Sequence, residues 1–271
     1  MKLNARRVVL TRPAERQVRL SQLLESLGCE VLSLPALAVN PIDTGWCRAE
    51  NLPGAFDVVV FVSRAAWQHY LAAILEKDPE FVWPVTTAVA TVGQSTAEHA
   101  RQWFNGRVQV ICPNAAAAQD SESLWVVLEA SVSPGARVLV VRGERGREWL
   151  VNRLRSHGST VQTLSVYRRE PAVWSDEARE RLFAWLADGA GAGVWLITSL
   201  EGLRAVDDQL KRHQVKALVP VGVVVVHRRL IASVRQWLLT QSEQGAGVPI
   251  SVCLPDEASL LKGLLCLTDG L

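Results

Sequence analysis

VVLTRPAERQVRLSQLLESLGCEV (Val8–Val31) and VLVVRGERGREWLVNRLRSHGSTV (Val138–Val161) are two versions of one pattern, and their likeness decides how the chain is read. Arg12 falls opposite Arg142, Gly28 opposite Gly158 and Val31 opposite Val161, each at an offset of 130 residues (142 less 12). Both copies begin with a run of Val and Leu, which suits a strand buried on both faces. An arginine-bearing turn follows, then apolar residues at helical spacing, then glycine, then a second strand. Glycine suits the end of the helix because helices commonly close on a residue with left-handed backbone.

Outward from these copies the likeness continues. FDVVVFVS (Phe56–Ser63) resembles GVWLITS (Gly193–Ser199): both are apolar strands ending in serine, each with a helix predicted after it, over Arg64–Leu75 and Leu200–Leu210. AVATVGQSTAEHARQWF (Ala88–Phe104) matches VGVVVVHRRLIASVRQWL (Val221–Leu238), with Gly93 opposite Val226. Short strands over Val108–Cys112 and Ile250–Leu254 close the copies. The fold class predicted is therefore α/β, with two flavodoxin-like parallel-sheet domains related by internal duplication. Ligands of such sheets lie beyond the carboxyl ends of the strands. That directs attention to five turns: Thr11-Arg12-Pro13, Ser63-Arg64, Gly93-Gln94-Ser95-Thr96, Arg142-Gly143 and Thr198-Ser199.

Composition narrows the function. Of 271 residues, 49% are hydrophobic and 21% charged, enough apolar material for two cores. A formal charge of +2 is too balanced for a nucleic-acid binder. Lysine occurs only at 2, 77, 211, 216 and 262, so 24 of the 29 basic residues are arginine. The planar guanidinium pairs bidentately with carboxylates, which suits a polycarboxylate ligand; a GC-rich genome would give the same bias. Cys29, Cys47, Cys112, Cys253 and Cys266 are scattered, without metal-ligand spacing, and read as buried reduced thiols of a cytoplasmic protein. The apolar run before Arg12 and Pro13 is too short for a signal peptide. Ala217–Val226 contains Pro220 and is too short to span a bilayer, so no membrane partner is expected.

Each motif has a plain reading beside the functional one. Arg142-Gly143-Glu144-Arg145-Gly146-Arg147-Glu148 follows a strand and opens a helix, where free N–H groups and Arg142 or Arg147 would attract an anion; it is equally a solvated helix start. It matches no dinucleotide or nucleoside-triphosphate loop. Ser95 or Thr96 reads as a cap of its helix, which is compatible with an anion site beside Gly93. Ser63 and Ser199 lack the surroundings of a nucleophile and read as hydrogen-bonding groups. Tyr167, at a strand end, is either an interfacial aromatic or a phenol that donates a proton. His69, His99, His157 and His213 read as surface or loop residues, and Trp67, Trp103, Trp149 and Trp237 as core.

Together, Leu10–Pro13, Phe61–Ser63, Val92–Ala97, Val141–Glu148, Val166–Arg169 and Thr198-Ser199 resemble the uroporphyrinogen-III synthase family over nearly the whole chain. The resemblance implies interleaved domains, residues 1–39 plus 170–271 and residues 40–169. They would be joined by a two-stranded hinge near Leu32–Val39 and Val161–Arg169, with the active site in the cleft. It implies a monomeric hydro-lyase of heme biosynthesis that needs no cofactor. Its substrate is hydroxymethylbilane, a linear tetrapyrrole rich in carboxylates, handed over by the preceding deaminase. Loss of the terminal hydroxyl, attack through a spirocyclic intermediate, and reclosure would invert ring D. Tyr167 matches the family tyrosine that helps the hydroxyl leave. Arg12, Ser63, Gly93, Thr96, Arg142, Gly143, Arg147 and Ser199 match substrate-binding positions. One stretch departs: Val226-His227-Arg228-Arg229-Leu230 stands where the family often has Gly-x-x-Thr-Ala. A non-catalytic two-lobed small-molecule binder and a nucleotide-sugar transferase are the competing readings.

Overall fold

The structure is a computed structural model that describes residues 6–188, 191–215 and 218–269. In chain order its strands are β1 (Arg6–Leu10), β2 (Cys29–Ser33), β3 (Leu37–Pro41), β4 (Val58–Phe61), β5 (Ala88–Thr91), β6 (Val110–Ile111), β7 (Arg137–Gly143), β8 (Thr160–Pro171), β9 (Val194–Ile197), β10 (Gly222–Val225) and β11 (Ile250–Val252). The helices are α1 (Val18–Ser26), α2 (Arg64–Lys77), α3 (Gln94–Phe104), α4 (Ser121–Leu128), α5 (Trp149–Ser156), α6 (Asp176–Ala187), α7 (Leu200–Arg212), α8 (Leu230–Gln241) and α9 (Glu257–Asp269). They form two compact units, Met1–Ala38 with Glu170–Leu271, and Val39–Arg169.

The first unit holds a five-stranded sheet in the order β11-β10-β9-β1-β2, with every neighbouring pair parallel. Side chains alternate across a strand, and here both faces are apolar. Val9, Trp195, Ile197, Val223 and Val225 face Leu182 and Trp185 of α6, Leu203 and Val206 of α7, and Trp237 of α8. Val8, Leu10, Val194, Leu196 and Val224 face Leu20 and Leu24 of α1 and Leu260 and Leu264 of α9. Trp195 is fully buried, and its ring N–H is satisfied by the Ala192 carbonyl at 2.8 Å. Burial of a polar donor inside such a core is costly unless it is bonded in this way.

The second unit holds a six-stranded sheet, β3-β8-β7-β4-β5-β6. Val59, Phe61, Val89, Leu139 and Val141 meet an aromatic layer that includes Trp67 and Tyr70 of α2 and Phe104 of α3. Phe61 packs edge-on to Trp67, centroids 5.0 Å apart, a favoured geometry for ring quadrupoles. Val58, Val60, Val138 and Val140 meet Leu124 and Leu128 of α4 and Leu150 and Leu154 of α5 on the opposite face.

Both sheets share one strand order, β2-β1-β9-β10-β11 and β8-β7-β4-β5-β6. This is the flavodoxin-like order, reached in the first sheet because the copy made of β1 and β2 pairs with β9, and in the second because the copy made of β7 and β8 pairs with β4. Gly28 and Gly158 follow α1 and α5 with φ of 80° and 94°, as a left-handed helix end requires. Some expectations are corrected. The closing strands β6 and β11 are shorter than predicted. α4, α6 and α9 are additional helices that complete the coats of the sheets. Trp149 stands 36% exposed on α5 rather than in the core. Among the described residues no cysteine forms a disulfide, but only Cys29 is buried, and Cys266 is exposed.

Candidate functional site

In the second unit β5, β4, β7 and β8 run parallel, so their carboxyl ends share one edge. Ser63 leaves β4 with extended backbone and caps α2, its Oγ accepting the Ala66 N–H at 3.1 Å. A cap of this kind satisfies an amide that the helix itself leaves unpaired. Gly93 leaves β5 and occupies the matching cap position of α3. Neither Ser95 nor Thr96 caps that helix, because both already lie inside its first turn, beyond the position from which a side chain can reach back. The side chain of Gln119 does so instead, Oε1 accepting the Gln94 N–H at 2.7 Å. Thr96 is buried, only 4% exposed.

The end of β7 is irregular. Arg142 pairs with Ser165, but Gly143 pairs with Tyr167, so Val166 is an extra residue on β8. Such a bulge re-aims the side chains that follow it. Glu144 N–H donates to the Tyr167 carbonyl at 2.9 Å and fixes the new register. Tyr167 therefore lies within β8 rather than at its end, and its ring lies against Gly143. A Cβ at Gly143 would stand 2.7 Å from two ring carbons and 3.0 Å from the hydroxyl. The phenol crosses the end of β7 and reaches Ser63 beyond it, Oη to Oγ 3.1 Å. His69 of α2 flanks the ring at 6.0 Å between centroids, and the Arg169 guanidinium lies 5.9 Å over it.

Arg142 is buried at the end of β7 and ion-paired to Glu148. Its Nε donates to the Gly143 carbonyl at 3.3 Å, and the loop passes so close that a Cβ at Gly146 would meet Nη2 at 3.0 Å. The arginine-glycine turn is thus wrapped around its own first arginine. Arg147 points outward and forms a two-pronged pair with Glu122 of α4, one contact at 3.0 Å. That pairing raises the Arg147 pKa and lowers that of Glu122. Both groups are exposed, so salt weakens the pair.

In the first unit the same edge of the sheet carries Arg12 after β1 and Ser199 after β9. Ser199 caps α7, Oγ accepting the Gly202 N–H at 2.9 Å, as Ser63 does for α2. Arg12 is partly buried. Its Nη1 is shielded from solvent and lacks a hydrogen-bond partner among the described residues. Burial, and secondarily Arg16, holds its pKa below the ordinary arginine value, while Glu257 opposes this. At the divergent turn His227 Nδ1 accepts the Arg229 N–H at 3.0 Å, so this turn spends an amide on its own side chain. Val226, His227, Arg228, Val252, Cys253 and Leu254 line an open cavity of about 440 Å³ there.

Ser63, Gly143 and Tyr167 thus form one contact group, with Arg142 beside it and Gly93 and Thr96 at the next strand end. Arg12 and Ser199 belong to the other unit. His69, Gln119, Glu122 and Glu148 complete these surroundings, and sequence reasoning missed them as site residues. Gln119 lies 25 residues from the amide it caps, and no local pattern marks such a partner. Among the described residues no group of three His, Cys, Asp or Glu is placed to hold a metal ion, and no helix is long and apolar enough to cross a membrane.

Residues 18–242 match the family model described as Uroporphyrinogen-III synthase HemD. Among solved structures, the chain is similar to a mutant uroporphyrinogen III synthase from the extremely thermophilic bacterium Thermus thermophilus. The identity is 17% and the TM-score 0.56, over 98% of this chain and 100% of that one. It is also similar to the uroporphyrinogen-III synthetase of Helicobacter pylori, with 15% identity and a TM-score of 0.56, over 97% and 99% of the two chains. At these identities the structures speak for the fold, and the family model for the family.

Proposed function

Because the chain belongs to the uroporphyrinogen-III synthase family, enzymes of heme biosynthesis, we propose that it converts hydroxymethylbilane to uroporphyrinogen III as a lyase, with Tyr167 as the proton donor to the departing hydroxyl. The observation that supports this reading is the phenol itself: it is 4% exposed, wedged on Gly143, with its hydroxyl beside Ser63 at the carboxyl ends of the strands. A phenol is protonated at neutral pH and is therefore a donor rather than a base.

The chemistry follows in order. The phenol proton passes to the terminal hydroxyl, the carbon–oxygen bond breaks, and water leaves with the bonding electrons. The resulting azafulvene-type cation is attacked by the substituted carbon of the last pyrrole, giving the spirocycle. Fragmentation and reclosure invert ring D. The proton released as that pyrrole regains aromaticity restores the phenol. Hydroxymethylbilane closes unaided to the other isomer, so the protein's main task is to hold one conformer. Arg12 and Arg147 anchor carboxylates through their guanidinium groups. The amides at the helix starts after Gly93 and Ser199, with Thr96, offer hydrogen bonds to others. Gly143 lets the phenol lie across the end of β7, with Arg142 beside it.

In this reading the chain acts as a cytoplasmic monomer supplied by the preceding deaminase. Residues 1–39 with 170–271 form one domain and 40–169 the other, with the strands that carry the chain between them acting as a hinge. The test is a coupled assay that generates hydroxymethylbilane in situ and resolves the product isomers. Uroporphyrinogen III should predominate; the isomer I ratio of the unassisted reaction would defeat the proposal. Tyr167→Phe should lower turnover partially, because positioning carries most of the acceleration, and unchanged turnover would remove the acid role.

A further inference from the structure

We propose that Ser63 is a positioning residue that aims the Tyr167 proton; this rests on the acid role given to Tyr167 above. A serine hydroxyl has one hydrogen and two lone pairs. One lone pair of Ser63 Oγ is occupied by the Ala66 N–H at 3.1 Å, which ties its place to the first turn of α2. Tyr167 Oη also lies 3.1 Å from it. Two proton arrangements satisfy that contact. If the phenol donates to Ser63, the catalytic proton is parked on the serine. If Ser63 donates to the phenol oxygen, the phenol hydrogen is free to point at the substrate.

The second arrangement is the productive one, and the reaction reinforces it. As the proton moves from Oη to the leaving hydroxyl, negative charge grows on Oη, and a hydrogen bond to a charged acceptor is stronger than one to a neutral acceptor. Ser63 keeps its own proton throughout and lends only the hydrogen bond. Among the described residues Ser63 is the hydrogen-bond partner of Oη, and two independent constraints hold the pair together. The helix cap holds the serine from one side, and the bare Gly143 lets the ring approach from the other. A serine engaged this way differs from one that contacts a substrate carboxylate directly, and the two roles separate experimentally.

The experiment is a double-mutant cycle on the full chain in the coupled assay: parent, Ser63→Ala, Tyr167→Phe and both together. Ser63→Ala should lower kcat roughly 10- to 100-fold, the scale of one hydrogen bond to a charged group, with little change in KM. In the Tyr167→Phe background the same substitution should have no further effect on kcat. Ser63→Asp separates cap from donor. It caps helices as well as serine does but, ionised, has no hydrogen to give, so it should keep the melting temperature and lose kcat. Ser63→Thr, with hydroxyl and cap, should recover most of the loss. Equal losses in both Tyr167 backgrounds, a change confined to KM, or full activity of Ser63→Asp would overturn the positioning role alone. Unchanged turnover of Tyr167→Phe would sink the acid reading and this inference with it.

Discussion

Replacing Gly143 with alanine puts a methyl carbon where the Tyr167 ring already lies, 2.7 Å from Cε2 and Cζ and 3.0 Å from Oη. Non-bonded carbons rest at about 3.5–4.0 Å, so the ring must withdraw by about 1 Å. Gly143 is not among the residues with left-handed backbone, so the conflict is one of contact and not of φ. Withdrawal is resisted, since the ring is 4% exposed and its backbone is held by the Glu144 N–H. Overpacking at such a site costs about 1–3 kcal/mol. The same movement carries Oη from 3.1 Å to beyond hydrogen-bond reach of Ser63, adding about 0.5–1.5 kcal/mol. Activity should suffer more than stability, because a misplacement of about 1 Å at a reacting group can cost roughly 100-fold in rate. Two measurements check this: the initial rate of uroporphyrinogen III formation and the denaturant midpoint of the variant. Adding Tyr167→Ala to Gly143→Ala should recover stability non-additively, since it removes the group that is struck. A Gly143→Ala protein with parental midpoint and parental rate would refute the reasoning.

Two further outcomes concern the scaffold. Gly193, just before β9, has φ of 74°, and a Cβ there would lie 2.8 Å from the Arg7 carbonyl oxygen. Because that neighbour is backbone, Gly193→Ala should destabilise by about 2–4 kcal/mol, read as a lower urea midpoint; an unchanged midpoint contradicts the contact. Asp120 caps α4 by accepting the Ser123 N–H at 2.8 Å, and this bond holds its carboxyl below the usual aspartate range. A depressed folded value means the contribution is present above the ordinary aspartate pKa and is lost as pH falls through the folded one. Stability should therefore decline below about pH 4, and the gap between parent and Asp120→Asn should narrow from about pH 5 to about pH 2. A gap constant over that range would rule the linkage out.

The strands and helices are legible because they rest on periodicity and on a repeated motif, whereas the joining of β1 and β2 to β9, β10 and β11 is an implication of the family resemblance alone. Runs such as Val58–Phe61 and Val194–Ile197 carry their burial in their own composition, and Gly28 and Gly158 mark helix ends by a conformation that other residues adopt at a cost. The candidate site is legible as a set of strand-end turns, which bring out Ser63 and Gly143, while Tyr167 stands out separately as a tyrosine expected at a strand end. Their mutual contact is not legible. It depends on one extra residue at Val166, and a bulge leaves no periodic trace because it breaks the very alternation that reveals a strand. From sequence, Arg142 and Arg147 read as groups available to an anion. The structure pairs them with Glu148 and Glu122, and side-chain pairing across a loop or between helices lies beyond local pattern. The cap of α3 differs from its expected place for a similar reason. Its donor group is met by Gln119, from a loop that sequence gives no reason to bring there.

The exchange of strands between the two sheets has a consequence for how the chain is made. β1 pairs with β9 in the register Val8 to Val194, residues 186 positions apart (194 less 8). The strands β4 to β8 are supplied by one continuous stretch, so their sheet can close while synthesis is still under way. At a synthesis rate of about 5–20 residues per second, β1 waits roughly 10–40 seconds for its partner. During that interval the β1 edge that β9 will cover stands open, with Val8, Val9 and Leu10 upon it, and an open apolar strand edge invites pairing with the wrong chain. The nascent protein therefore carries an unfinished apolar strand through that interval, and of the two sheets the one begun first is the one completed last.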